Sequence, residues 1–183
     1  MKVYLISGPA RNGKDTIGNF LEEEYKRLGY KVCKSQISKY LKQYIKDYFG
    51  WDGQEETKPR ELLQTLGTDI IREKLNKPRF FVDRTIEDID ILSNFFDVMI
   101  ISDIRFPIEI TAIKESFKDV VSINVKRINF ETELTSKEQV HKTETALNDF
   151  DGYDYKIIND TIEKLEKDVI DIVNKEEEHA KTN

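Results

Sequence analysis

Gly8-Pro9-Ala10-Arg11-Asn12-Gly13-Lys14-Asp15-Thr16 follows directly on the apolar run Val3-Tyr4-Leu5-Ile6. A glycine, four residues, then Gly-Lys is the spacing of a phosphate-binding loop, whose backbone must curl so that several N–H groups point at phosphate oxygens. Lys14 adds a mobile positive charge, and a helix starting there offers the anion its positive dipole end. An apolar strand before the motif and a helical pattern after it are the required context, and both are present. Gly8, Arg11, Asn12, Gly13, Lys14, Asp15 and Thr16 are therefore candidates to hold a nucleoside triphosphate. The bland alternative is an ordinary glycine-rich turn. Asp15 stands where such loops commonly carry a metal-binding hydroxyl, so Asp15 and Thr16 become candidate magnesium contacts through water, or Asp15 caps the helix.

A second constellation is Ser102-Asp103-Ile104-Arg105-Phe106-Pro107 at the end of the apolar run 97–102. A carboxylate there is costly without a partner or a task. Asp103 could hold magnesium through water or hold the acceptor, and Arg105, two residues on, could clamp a phosphate. The alternative is an Asp103–Arg105 ion pair closing the strand. Arg60 and Gln64 are four apart and share a helix face, so both could meet one ligand. With Arg72, Arg79 and Arg84 they fit recognition of a monophosphate, against the alternative of surface pairs with Glu61, Glu73 and Asp83. His141 and Glu144 could share a helical turn near a nucleotide, or form a plain exposed contact.

The elements that must position these residues follow from periodicity. Strands are expected at 2–7, 32–36, 97–102, 120–125 and 155–158, and helices at 14–28, 38–49, 60–75 (broken near Gly67-Thr68), 83–96, 107–117, 143–149 and 161–174. Five apolar strands separated by helices predict an α/β parallel sheet covered on both faces, with ligands at its carboxyl edge. Two excursions, about 37–94 and 128–148, leave that core, and 175–183 reads as a frayed charged tail. At 183 residues one domain, 1–183, is expected. The formal charge of −6 argues against nucleic acid as a partner, and the single cysteine excludes a disulfide framework. No apolar stretch reaches membrane-span length and no leader segment is read, so a soluble, cytoplasmic protein is expected.

Taken together, Gly8–Thr16, Arg60–Thr68 with Arg72, Ser102–Glu109, His141-Lys-Thr-Glu144 and Ile157-Ile-Asn159-Asp160 resemble the phage-type deoxynucleoside monophosphate kinases. The phosphate loop alone is unspecific; Gly-Lys-Asp-Thr combined with Asp-x-Arg-Phe-Pro is more telling. The resemblance implies a three-layer P-loop nucleoside monophosphate kinase fold with a five-stranded parallel sheet, a helical acceptor-binding region (37–94) and a lid (128–148). It implies ATP and Mg²⁺ as cofactors and small-molecule nucleotide substrates. Such enzymes often pair, so a homodimer is compatible with it. By position, Arg11 through Thr16 hold the donor; Arg127 touches its base or phosphates, and Asn159 and Asp160 cradle the base. Ser38, Arg60, Gln64, Arg72, Arg105 and Glu144 face the acceptor, with Lys14, Arg11, Asp103 and Arg105 as the catalytic set. One departure is that Arg127 is the single arginine from 127 to 148, where lids of adenylate kinases carry several. The competing readings are a phosphomevalonate kinase with a similar loop, a nucleotide-binding switch without acceptor, and a hydroxyl-acceptor kinase with Asp103 as base.

Overall fold

The apolar run after Met1 forms β1 (Lys2–Ser7), and all six of its residues are buried. A strand alternates its side chains, so burial on both faces requires cover on both. Tyr4 and Ile6 pack with Ile17, Leu21 and Tyr25 of α1 (Lys14–Arg27) and with Leu165, Val169 and Val173 of the C-terminal helix. Val3 and Leu5 point the other way, into Phe81, Val82, Ile89, Ile110 and Ile113. Each fully buried side chain of this size contributes roughly 1.5–3 kcal/mol. The computed structural model describes residues 1–128 and 141–182.

Among the described residues the sheet around β1 is five-stranded and wholly parallel in the order β2-β3-β1-β4-β5. The other strands are β2 (Val32–Ser35), β3 (Val98–Ile104), β4 (Val120–Arg127) and β5 (Tyr155–Asn159). Between β2 and β3 lie α2 (Lys39–Phe49), α3 (Arg60–Gln64) and α4 (Phe80–Leu92), and α5 (Pro107–Ser116) joins β3 to β4. The short α6 (Lys142–Thr145) precedes β5, and α7 (Ile162–Thr182) closes the chain. The α/β parallel architecture read from the sequence is thus the one observed. No helix among the described residues is long and apolar enough to cross a membrane.

Three local departures from the expected elements stand out. β3 runs past Ser102 to Ile104, and its pairing with β1 jumps from Leu5↔Ile101 to Ser7↔Ile104. The extra β3 residue is a bulge, which re-aims side chains where a strand meets a site. The 60–75 helix does not break at Gly67-Thr68; α3 widens into a π-helix, Thr65–Lys74, whose Leu75 N–H donates to Ile70 O at 2.8 Å. Such segments concentrate at functional sites. α7 continues through 175–182, where the sequence predicts a frayed tail. Glu176 accepts hydrogen bonds from Lys2 (2.9 Å) and Tyr155 (2.7 Å), and Glu177 accepts one from Tyr30 (2.6 Å), so tertiary contacts hold the tail in helix. Of the expected lid at 128–148, residues 129–140 lie outside the described residues.

Candidate active site

The loop after β1 can exist only with glycine at its two ends. Gly8 has φ +150°, and a Cβ there would stand 2.3 Å from Val125 O. Gly13 has φ +103°, and a Cβ there would meet Asn159 Nδ2 at 2.5 Å. Between them Arg11 takes a left-handed φ of 58°, a conformation ordinary residues adopt rarely. Buried Asn12 ties this curl to the sheet. Its Oδ1 accepts from Arg127 N (2.7 Å), its Nδ2 donates to Ala10 O (2.9 Å), and its carbonyl accepts from Asn159 Nδ2 (2.9 Å). α1 then starts at Lys14 with no side-chain cap, leaving its first N–H groups for an anion. Lys14 Nζ donates to Gly8 O (3.0 Å) and Pro9 O (2.8 Å). Burial, and then the neighbouring Arg105 charge, pull the Lys14 ammonium down to about 8.

Two cavities open on either side of this lysine. The first, about 310 Å³, is lined by Ala10, Arg11, Lys14 and Asp15 together with Ser38, Arg60, Gln64, Arg72, Asp103, Arg105 and Glu144. The second, about 390 Å³, is lined by Arg11, Gly13, Lys14, Asp15 and Thr16 with Arg127, Asn159, Asp160, Ile162 and Leu165. They share Arg11, Lys14 and Asp15. Residues read as acceptor-facing therefore gather in one cavity, and those read as donor-facing in the other. Gly8 and Asn12 line neither; one carries a carbonyl that holds Lys14 and the other is scaffold.

Partners refine several of these roles. Asp103 accepts from Ile37 N (2.7 Å), Ser38 N (3.1 Å) and Ser38 Oγ (2.5 Å), so its two oxygens anchor the start of α2. An Asp103–Arg105 pair is not what closes the strand: Arg105 Nη1 pairs with Glu144 Oε1 at 2.8 Å. Asp15 Oδ1 accepts from Ser102 Oγ at 2.8 Å, which aims its carboxylate along the carboxyl end of β3. Arg60 sits at the cavity mouth, paired with Glu55 at 2.9 Å. Arg79 pairs with Asp83 at 2.9 Å, as in the surface reading, whereas half-buried Arg84 donates to Phe80 O (3.0 Å) and lies over the Phe80 ring at 3.9 Å; neither lines either of these two cavities.

Arg72 is part of the wall more than a free hand. Its guanidinium lies between the Phe81 and Phe106 rings (4.8 and 4.4 Å), bonds Gly67 O (2.9 Å) and pairs with buried Glu109 (2.8 Å). Burial raises the Glu109 carboxyl, opposed by Arg72. Glu109 also accepts from the N–H groups of Arg105 (2.7 Å) and Phe106 (3.1 Å), fixing the turn that presents Arg105.

Sequence reasoning missed Lys42, Lys58, Thr68, Phe81 and Phe106, all on the wall of the first cavity. Lys58 adjoins Arg60, and that cluster was the available signal. Lys42 reads as a solvated position of an amphipathic helix, yet burial lowers its ammonium. Thr68 Oγ1 and Arg72 Nε are buried without a hydrogen-bond partner, which is costly unless a ligand or water completes them.

Residues 42–169 match the deoxynucleotide monophosphate kinase family. No curated protein matches the chain. In fold the chain is similar to the APS kinase of Mycobacterium tuberculosis, with a TM-score of 0.54, 9% identity, and coverage of 94% of this chain and 96% of that one. It is also similar to a sugar kinase from Janibacter sp. (TM-score 0.53, 11% identity, 94% and 92% covered). A third similar structure is the tunicamycin resistance protein of Deinococcus radiodurans (TM-score 0.52, 10% identity, 94% and 95% covered). The family match spans more than half of the chain, and the phosphate loop that precedes it in sequence lies between the two cavities on this sheet, so the chain is a nucleotide kinase that belongs to the deoxynucleotide monophosphate kinase family.

Proposed function

We propose that the chain transfers the γ-phosphoryl group of ATP to the 5′-phosphate of a deoxynucleoside monophosphate, releasing ADP and the deoxynucleoside diphosphate. The observation that supports this best is the meeting of two cavities at Lys14, one of them walled by Lys42, Lys58, Arg60, Arg72 and Arg105. Two polyanions repel, and such a wall offsets that repulsion while aligning the acceptor oxygen with the γ-phosphorus. That oxygen forms the new P–O bond as the bond to ADP breaks, and ADP leaves with the electron pair. The acceptor phosphate is already ionised near neutral pH, so no general base is needed. The binding of both Asp103 oxygens to α2 agrees with this and speaks against a hydroxyl acceptor.

The oxygen donors beside the loop, the Asp15 carboxylate and the Thr16 hydroxyl, suit magnesium, which is held by one or two carboxylates plus substrate phosphates. Bound there it would neutralise charge on the triphosphate. Arg127, Asn159, Asp160 and exposed Ile162 offer a polar and apolar seat for the donor base. On the acceptor side Phe81 and the unpartnered Thr68 hydroxyl fit a base better than a short aliphatic chain. ADP release measured over dTMP, dGMP, dCMP, dAMP and phosphomevalonate tests the reading. Turnover of at least one deoxynucleotide and none of phosphomevalonate is expected; the reverse pattern would overturn it.

A further inference from the structure

The Glu144 carboxylate occupies a place built for a different anion. Its Oε2 accepts from the phosphate-loop Ala10 N–H at 3.2 Å, and its Oε1 accepts from Arg105 Nη1 at 2.8 Å. A loop N–H and an arginine at the end of β3 are donors that bind phosphoryl oxygens through charge-assisted bonds. The Glu144 side chain is only 12% exposed, so this is no loose surface contact. We infer that Glu144 is an internal stand-in for phosphate: it seats Arg105 and the loop until a ligand phosphoryl group takes over both donors. Glu144 is then a positioning residue acting through Arg105.

The segment carrying Glu144 is arranged for such an exchange. On one flank it is fastened to the π-helix, with Lys142 paired to Glu73 and His141 Nε2 lying 3.6 Å from Asp69 Oδ1. His141 Nδ1 also accepts from Thr143 N at 3.2 Å, which caps α6. Toward the cavity its contacts are long apart from the carboxylate: Gln64 Nε2 to Thr143 Oγ1 is 3.4 Å, and Arg105 Nη1 to Thr143 O is 3.5 Å. The carboxylate is thus the main link across the cavity, and a phosphate cannot share its seat because two anions in contact repel. Removing the charge should raise the fraction of molecules ready to bind, and apparent affinity follows that fraction.

This inference rests on reading the first cavity as a phosphate-acceptor site, so its test measures binding without catalysis and is blind to which acceptor is phosphorylated. Glu144→Gln keeps the shape and removes the charge. In calorimetric titration of the full chain with inorganic phosphate, the variant is expected to bind about tenfold more tightly than the parent. Thymidine, which has no phosphate, is expected to bind the two equally. Phosphate binding that is unchanged or weaker overturns the inference, as does a lowered melting temperature with no change in affinity. An independent measurement uses the parent alone: saturating inorganic phosphate is expected to speed hydrogen exchange at the Glu144–Ala146 amides. No acceleration there would also overturn it.

Discussion

Lys14→Ala is expected to lower turnover at least about 100-fold, a loss of about 2.7 kcal/mol of transition-state stabilisation. Lys14, like Arg11, lines both cavities, which in the proposed reaction is where donor and acceptor phosphates approach. The fold should survive, because among the described residues Nζ bonds loop carbonyls alone, those of Gly8 and Pro9. Burial and the Arg105 charge hold this ammonium at about 8, and a triphosphate beside it favours the charged form. ATP binding near pH 8.5 should therefore take up a proton, seen as a binding heat that varies with the buffer's ionisation enthalpy. The alanine variant should show no such uptake. Unchanged turnover would remove the loop lysine from the reaction.

Glu109→Ala is expected to cost about 3–5 kcal/mol of stability, as removal of one partner of a buried ion pair does. Glu109 is 1% exposed, pairs with Arg72 and accepts two backbone N–H groups at the start of α5. Its loss leaves the Arg72 cation without its carboxylate partner and frees the turn that presents Arg105. The melting temperature should fall by roughly 10 °C. Glu109→Gln, which keeps acceptors for the backbone but loses the charge, should fall less. A Glu109→Ala melting curve matching the parent would refute the role given to this carboxylate.

Where a pattern is local, the sequence was enough to read it. The phosphate loop and the five strands follow from apolar runs and glycines, whereas the placing of Asn159 and Asp160 beside the loop came only from the family resemblance. Roles set by distant partners were not legible. Arg72 and Glu109 are 37 residues apart, so nothing in the 60–75 stretch announces that this arginine belongs to a wall. The π-helical widening at Thr65–Lys74 is a tertiary accommodation with no composition of its own, and it brings Thr68 to the cavity. The 175–182 helix follows the same logic: its charged residues look solvated until Lys2, Tyr30 and Tyr155 are placed beside them. The register jump in β3, which governs where Asp103 and Arg105 point, arises only when β1 is paired to it.

The account depends on the two cavities being filled together across Lys14. Titration with a bisubstrate analogue, adenosine joined through five phosphates to the deoxynucleoside of the best acceptor, measures that directly. One molecule spanning both cavities avoids a second association cost, so its Kd should be at least about 100-fold below that of ATP or of the monophosphate. A Kd no lower than that of ATP alone would mean that the cavities do not face one another as donor and acceptor sites.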